Sequence, residues 1–347
     1  MNAKAFLIAL FSFLPLPALA QGFAGLGTAD PGFSLPDPDV RFRYPEDHGA
    51  HPDFRIEWWY VTAALTGEDG QSYGIQWTLF RNALSPGLGT DDPGQIWMAH
   101  AGLTTETSHF AAERFARGGT GLASVSSTPF DARIDEWFMS GPSLSDVNLF
   151  AQGADFAYDI SLSADGPFVP QGDNGFSVKS EAGQASHYYS QPFYTVAGTL
   201  TLPSGDVQVT GQAWLDREWS SQPLTTTQTG WDWISLHLDG GEKLMGYRLR
   251  DADGSAYTVG TWITPEGDPT PLKNGEILLE EVARSDVDGR SVPTAWRVTY
   301  PEKDLEIEVR AINPQSWMDV SIAYWEGPIT VEGTHSGIGY LEMTGYD

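Results

Sequence analysis

Two short stretches carry the residue types that acid–base chemistry needs: Ser186-His187-Tyr188-Tyr189-Ser190 and, further along, Ala213-Trp214-Leu215-Asp216-Arg217-Glu218-Trp219. Each reads as a strand, in which alternate side chains share a face. His187 and Tyr189 then lie together, as do Trp214, Asp216 and Glu218. If both strands line one cavity, an imidazole, a phenol, an indole and two carboxyls meet there. Such a group can protonate an apolar ligand and activate water. The competing reading is structural: a histidine on an apolar face is commonly a satisfied core residue, and Arg217 could pair with the buried acids.

A second acid, Glu57, opens the run Glu57-Trp58-Trp59-Tyr60. Alternation puts Trp58 and Tyr60 on one face and Glu57, Trp59 and Val61 on the other. A glutamate beside an inward tryptophan is partly desolvated, which raises its pKa and suits it to donate a proton. The alternative is a rim carboxylate paired with Arg55 or Arg81. Just upstream, Glu46, Asp47, His48, His51 and Asp53 crowd one loop without a recognised metal spacing, so no metal is expected there. No G-x-S-x-G, H-E-x-x-H, Walker loop or helix-opening G-x-G-x-x-G occurs, which leaves serine-hydrolase and nucleotide-binding readings without their residues.

Short alternating runs separated by Gly and Asp turns must position these groups. Residues 57–81 and 231–250 read as two tryptophan-rich hairpins, turning at 67–70 and 239–241, and they look like an internal duplication. Further strands are expected at 96–104, 130–139, 157–163, 194–202, 207–215, 258–264, 295–300, 305–312 and 337–343. No long stretch keeps a helical period, so the fold class is all-β, in sandwiches or closed barrels. The turns at 251–254 and 286–289, "DADG" and "DVDG", lack the other ligands of a calcium loop and read as Asx turns.

The 347 residues hold 46 acids against 19 bases, 13 tryptophans and no cysteine. Such an acidic surface repels phosphate backbones, so nucleic acid is not an expected partner. Without cysteine there is no thiolate metal site, no thiol nucleophile and no lipid-modified N-terminal cysteine. Residues 1–20 combine Lys4, an apolar run and Ala18-Leu19-Ala20. This predicts a signal peptide and an exported, soluble protein, periplasmic or secreted and not a lipoprotein. Residues 21–44 are expected to form a Gly/Pro-rich arm, followed by β domains at 45–222 and 223–347.

Together the segments "DHGAHPDFRIEWWYVTAALTG", "HYYS", "GQAWLDREWSSQPL" and "GWDWISLHLDGGEKLMGYRLR" resemble the AttH-like family of exported lipocalin-like proteins, which is similar to the carotenoid 1,2-hydratases. The resemblance runs from about Tyr44 to the C-terminus. It implies two lipocalin-like β-barrel domains packed together and, in the hydratase branch, cofactor-free addition of water to an isoprenoid double bond. The acid–base pairs proposed in that branch match His187 with Tyr189 and Trp214 with Asp216. Where those relatives read W-x-D-H-E, this chain has Arg217, a permanent cation in place of a titratable base.

The sequence therefore predicts a protein that binds an apolar lipid, isoprenoid or polyene, without cofactor or metal. The first reading is a carrier or accessory of a membrane ABC-type transport system. The second is a hydro-lyase, isomerase or cyclase, and the third a secreted hydrolase. The expected acid–base set is Asp216, His187, Glu57 and Glu218, inside ligand walls formed by Trp58, Trp59, Tyr189, Trp214, Trp231 and Trp233. Asp216 would donate the proton and His187 would orient or activate water.

Overall fold

A computed structural model describes residues 31–222 and 224–346. The expected signal peptide, 1–20, and residues 21–30 of the arm lie outside the described residues. Strands account for 62% of the chain and helix for 2%, in two curled antiparallel sheets, one a nearly closed barrel and the other a half-barrel. The all-β class expected from the strand spacing is the observed one, and of the two lipocalin-like barrels that the resemblance implies the first is nearly closed and the second is a half-barrel.

The first sheet contains β1 (Ile56–Gly67), β2 (Ser72–Ala83), β3 (Gln95–Thr105), β4 (His109–Arg117), β5 (Ala123–Ser127), β6 (Phe130–Ile134), β7 (Trp137–Ser143), β8 (Asp146–Gln152), β9 (Ala157–Ala164), β10 (Val169–Pro170), β11 (Phe176–Val178), β12 (Ala185–Leu202) and β13 (Gly205–Ser220). Its order is β4-β3-β2-β1-β13-β12-β9-β8-β7-β6-β5, with β10 and β11 added on β12. The free edges approach each other where β6 packs near β4. The second sheet contains β14 (Gln228–Leu238), β15 (Lys243–Asp251), β16 (Ala256–Ile263), β17 (Pro269–Leu272), β18 (Leu278–Val287), β19 (Arg290–Tyr300), β20 (Leu305–Ala311), β21 (Trp317–Met318), β22 (Tyr324–Gly333) and β23 (Gly337–Met343). Its order is β17-β16-β15-β14-β23-β22-β20-β19-β18.

Both tryptophan-rich hairpins form where the alternation placed them, with Gly70 and Gly241 at positive φ in their turns. The strand expected at 130–139 is instead a hairpin, β6 and β7, because Asp135 adopts a left-handed conformation and reverses the chain. The strands β4, β5, β8, β18 and β22 were not foreseen. Charged and small residues break the apolar alternation in the first four, and Gly327 and Pro328 break it in β22.

Three apolar layers result. One fills the first barrel, around Trp59, Trp77, Trp97 and Trp137. One fills the second sheet's curl, around Trp296 and Trp325. The third lies between the sheets, where Tyr60, Tyr188 and Trp214 meet Trp233, Met245 and Tyr247. Gly74 allows the sheets to close on one another: a Cβ there would stand 2.6 Å from the ring of Pro328.

The arm is irregular and ties down over the first barrel. Phe33 is buried under Arg55, the Ser34 amide donates to the Asp53 carbonyl (2.9 Å), and Phe42 packs on Tyr189 and Trp219. Beneath it, Glu57 is fully buried between the guanidiniums of Arg81 and Arg217 and accepts the His51 amide at 3.0 Å. Burial favours the neutral acid, yet the two guanidiniums hold Glu57 well below the usual carboxylate range. Glu57→Gln should therefore leave two buried cations without their counter-charge and cost about 3–5 kcal/mol, measured by urea unfolding. A loss below about 1 kcal/mol would mean that water, not Glu57, compensates the arginines.

Candidate functional site

Strands β2, β1, β13 and β12 form a wall with two working faces. In an antiparallel pair, residues directly opposite share a face. The register sets Glu57 opposite Trp219, Trp59 opposite Arg217 and Tyr60 opposite Asp216. It also sets His187 opposite Trp219, Tyr189 opposite Arg217, Tyr188 opposite Glu218 and Ser190 opposite Asp216. The face bearing Glu57, Trp59, His187, Tyr189 and Arg217 therefore looks into the first barrel. The face bearing Trp58, Tyr60, Tyr188, Trp214, Asp216 and Glu218 looks toward the second sheet.

This division separates the expected acid–base set. His187 does not meet Asp216: its Nε2 accepts the Asp37 amide at 3.3 Å and its ring packs on Phe42, Phe54 and Trp219. Burial, with a smaller push from His51, takes its pKa down to about 4. Tyr189 points the same way and hydrogen-bonds His48 Nδ1 at 2.7 Å. Trp59 carries the Arg217 guanidinium 3.9 Å above its ring, and Glu57 belongs to the ion cluster. The sequence reading had the alternation within each strand right but not the parity between them, since it lacked the register that places Ser190, not His187, opposite Asp216. Arg217 points away from Asp216 and braces Glu57. In the crowded loop, His51 stacks on Trp219 (3.8 Å) and His48 on Tyr44 (4.9 Å). Among the described residues no group of three or more His, Asp or Glu is arranged to hold a metal.

The other face lines an open cleft between the sheets, with about 1070 Å³ of empty volume counted out to its mouth. Trp58, Phe80, Trp231, Trp233, Tyr247 and Leu249 give it an apolar wall. Asp216 and Glu218 open onto it, with Lys179 beside them. Asp216 accepts from the Tyr188 hydroxyl, the Ser190 hydroxyl and the Trp214 indole, each at 2.6 Å. The indole can only donate, and Ser190 already accepts from Gln171, so both donate to Oδ1. A proton on this carboxyl therefore sits on Oδ2, on the Tyr188 side. Burial pushes Asp216 up to about 7, against the pull of those three donors. Lys179, the cation at this end, pairs instead with Glu218 at 2.9 Å.

Two further acids arrive from the second sheet. The register sets Glu326 directly opposite Glu342. Like charges in such a pair repel, and burial adds to the effect. Glu342, at the cleft wall, accepts the Trp231 indole at 2.8 Å and is pushed by burial up to about 7. Glu326 lies well above the usual range through burial and the Glu342 charge. The Tyr60 hydroxyl donates to Glu326 and also pulls the Glu342 pKa down, against its burial.

Of the residues expected from sequence, the cleft brings together Asp216, Glu218, Trp58, Trp231 and Trp233. Trp214 stands behind Asp216 as its donor. Tyr188, Ser190, Lys179, His100, Tyr324, Glu326 and Glu342 were missed. Glu326 and Glu342 left a signal, each an acid at an alternate position inside an otherwise apolar strand, in "YWEGP" and "YLEM".

Comparison with known proteins agrees with this architecture. The AttH-like family model matches residues 35–346. A protein provisionally named AttH from Nitrosomonas europaea has a crystal structure 32% identical in sequence. The match covers 91% of this chain and 100% of that one, with a TM-score of 0.82. Kievitone hydratase from Nectria haematococca superposes with a TM-score of 0.65 over 90% of this chain and 97% of its own, at 14% identity, a likeness of fold. No curated protein matches the chain.

The raised carboxyls fix a sign for the pH dependence of stability. A carboxyl whose folded pKa exceeds its unfolded value binds more protons when folded, so its contribution is full below the unfolded value and fades as pH rises through the folded one. For Asp216 and Glu342 that window runs from near 4 to about 7. Buried histidines such as His100 and His187, held down to about 3 and 4, act in the opposite sense below pH 6.5. Between pH 6.5 and 8 the unfolding free energy should thus fall with pH, and Asp216→Asn and Glu342→Gln should each flatten that fall in thermal melts. Identical slopes in all three proteins would show that these carboxyls are ionised throughout.

Proposed function

The chain belongs to the AttH-like family, and from that premise we propose that its cleft binds an isoprenoid-like apolar ligand and adds water across a carbon–carbon double bond. The observation that carries this reading is the pair Asp216 and Glu342: two carboxyls near neutrality in an aromatic wall, while the local cation is committed to Glu218. Hydration needs an acid to protonate carbon, a stabilised tertiary cation and a base for water. Asp216 gives the proton, the rings of Trp58, Trp231 and Tyr247 face the cation, and Glu342 takes the proton from water. Kievitone hydratase, by its name, belongs to the same reaction class, and here it lends the reading a fold that is compatible with it.

The order of the first two sequence readings is thereby reversed. A carrier needs the aromatic wall, which supports carriage and transfer to a membrane transport partner as a second reading. It has no use for uncompensated buried acids, each a cost to folding. A cyclase shares the first protonation and differs only in excluding water. The hydrolase reading fares worst, because the cleft serines Ser186 and Ser220 donate to Glu218 and to the Ala185 carbonyl and not to a histidine.

The test is incubation with acyclic isoprenoid alkenes and polyenes in ¹⁸O-labelled water, read by mass spectrometry of the alcohol formed. Asp216→Asn should lower incorporation about 10²-fold or more, the scale for losing one acid. Trp231→Ala should weaken retention of the alkene by about 1.5–3 kcal/mol through lost apolar contact. His187→Gln, on the opposite face, should leave turnover unchanged. Retention of an alkene with no label incorporated by the wild type would make the protein a carrier.

A further inference from the structure

A single row of side chains crosses the floor of the cleft from strand to strand. The register sets Asp216 opposite Tyr60, Tyr60 opposite Thr78 and Thr78 opposite His100. Residues directly opposite share a face, so all four look toward the second sheet, and all four line the cleft. Neighbouring strands lie about 4.8 Å apart, which puts His100 about 14 Å from Asp216 across the three intervals. The adjacent row, Glu218, Trp58 and Phe80, lays two aromatic rings along the way between those ends.

The far end of the row is polar and incomplete. His100 is 1% exposed, stacks on Tyr324 and meets its hydroxyl through Nδ1 at 3.1 Å, while Nε2 is buried without a partner. A buried polar atom left unpaired is costly, and in a ligand cleft it points to a group that the ligand brings. A hydroxyl suits either tautomer of His100, because it can accept from Nε2–H or donate to a bare Nε2. Charge narrows the class further. Burial holds the imidazole neutral, with its pKa down to about 3. Lys179, the one permanent cation among the described lining residues, stands at the Asp216 end in its pair with Glu218. A phosphate or carboxylate at His100 would be buried without a counter-charge.

Resting on the hydration reading, we propose that the ligand is an isoprenoid alcohol, uncharged, whose hydroxyl docks on His100 Nε2 while a double bond farther along its chain lies at Asp216. An extended chain covers about 3.8 Å in three bonds, so about 14 Å corresponds to about eleven bonds. That is the span from the hydroxyl oxygen to the third double bond of a linear prenyl alcohol. The hydrocarbon between them lies along Trp58 and Phe80. His100 takes no part in the proton transfer. It is a positioning residue, and the row of strands is the ruler that selects which double bond of the chain reaches the acid.

Binding tests this without turnover. Quenching of tryptophan fluorescence in the purified protein gives the affinity for a linear prenyl alcohol of three repeats, for the hydrocarbon of the same length and for the corresponding monophosphate. The alcohol should bind about 10-fold or more tighter than either. His100→Phe should erase that preference. His100→Gln, whose amide carries both a donor and an acceptor, should keep it. The wild-type series decides the matter if His100→Phe does not fold. Equal affinity for alcohol and hydrocarbon overturns the subsite, as does a preference that survives in His100→Phe; tighter binding of the monophosphate overturns the uncharged class. In ¹⁸O-labelled water the label should enter at the third double bond from the hydroxyl in alcohols of three and of four repeats alike. Labelling of the last double bond of the four-repeat alcohol would overturn the ruler. A wild type that prefers the alcohol yet incorporates no label overturns the hydration reading and leaves the subsite standing. One that binds and labels hydrocarbon and alcohol equally does the reverse.

Discussion

The strands β1, β13 and β12 serve two interiors at once, and that double duty constrains nearly everything else in the molecule. A strand offers its neighbours alternate faces with a period of two, so each residue of this wall belongs to one interior or the other. One face supplies the aromatic filling of the first barrel and its ion cluster. The other supplies half of the cleft. The bulge in β12 between Gln191 and Tyr194 resets the parity partway along, so that these two residues, three apart in sequence, stand opposite Leu215 and Ala213, which share the barrel face of β13.

The two faces treat buried acids in opposite ways. Glu57 is compensated twice, by Arg81 and Arg217, and remains an anion. Asp216, Glu326 and Glu342 sit behind the same wall with indole and hydroxyl donors, and burial drives them toward the neutral acid. A fully paired carboxylate is inert to proton transfer over the physiological range, whereas one near neutrality can give and take a proton at little cost. Acids able to change their protonation near neutral pH are therefore gathered on one side of the sheet, and the doubly paired anion lies on the other.

Much of the fold was legible because period-two alternation and Gly/Asp turns are local signals. The hairpins at β1–β2 and β14–β15, and strands such as β23, follow from them directly. The site was legible only in part. Asp216, Glu218, Trp58, Trp231 and Trp233 share a cavity as expected. His187, Tyr189, Glu57 and Trp59 do not, because which face of β12 meets which face of β13 depends on register, a long-range property that no single strand encodes. Glu326 pairs with Glu342 and reaches Tyr60 across 266 residues of sequence, and His100 enters through a third strand. Contacts of that separation have no local signature beyond an acid in an apolar run.

The cleft's rim has two independent owners. Trp58 and Phe80 come from the first sheet, Trp231 and Leu249 from the second, and the second sheet keeps its own filling on the far side of β14 and β15. Substitutions at Leu249 can thus reshape the opening without disturbing the barrel or the hydrogen bonds of the carboxyls, whereas Trp231 also donates to Glu342. Such an arrangement is evolvable: lineages can drift in the size and branching of the molecule they admit while inheriting the proton-handling groups unchanged.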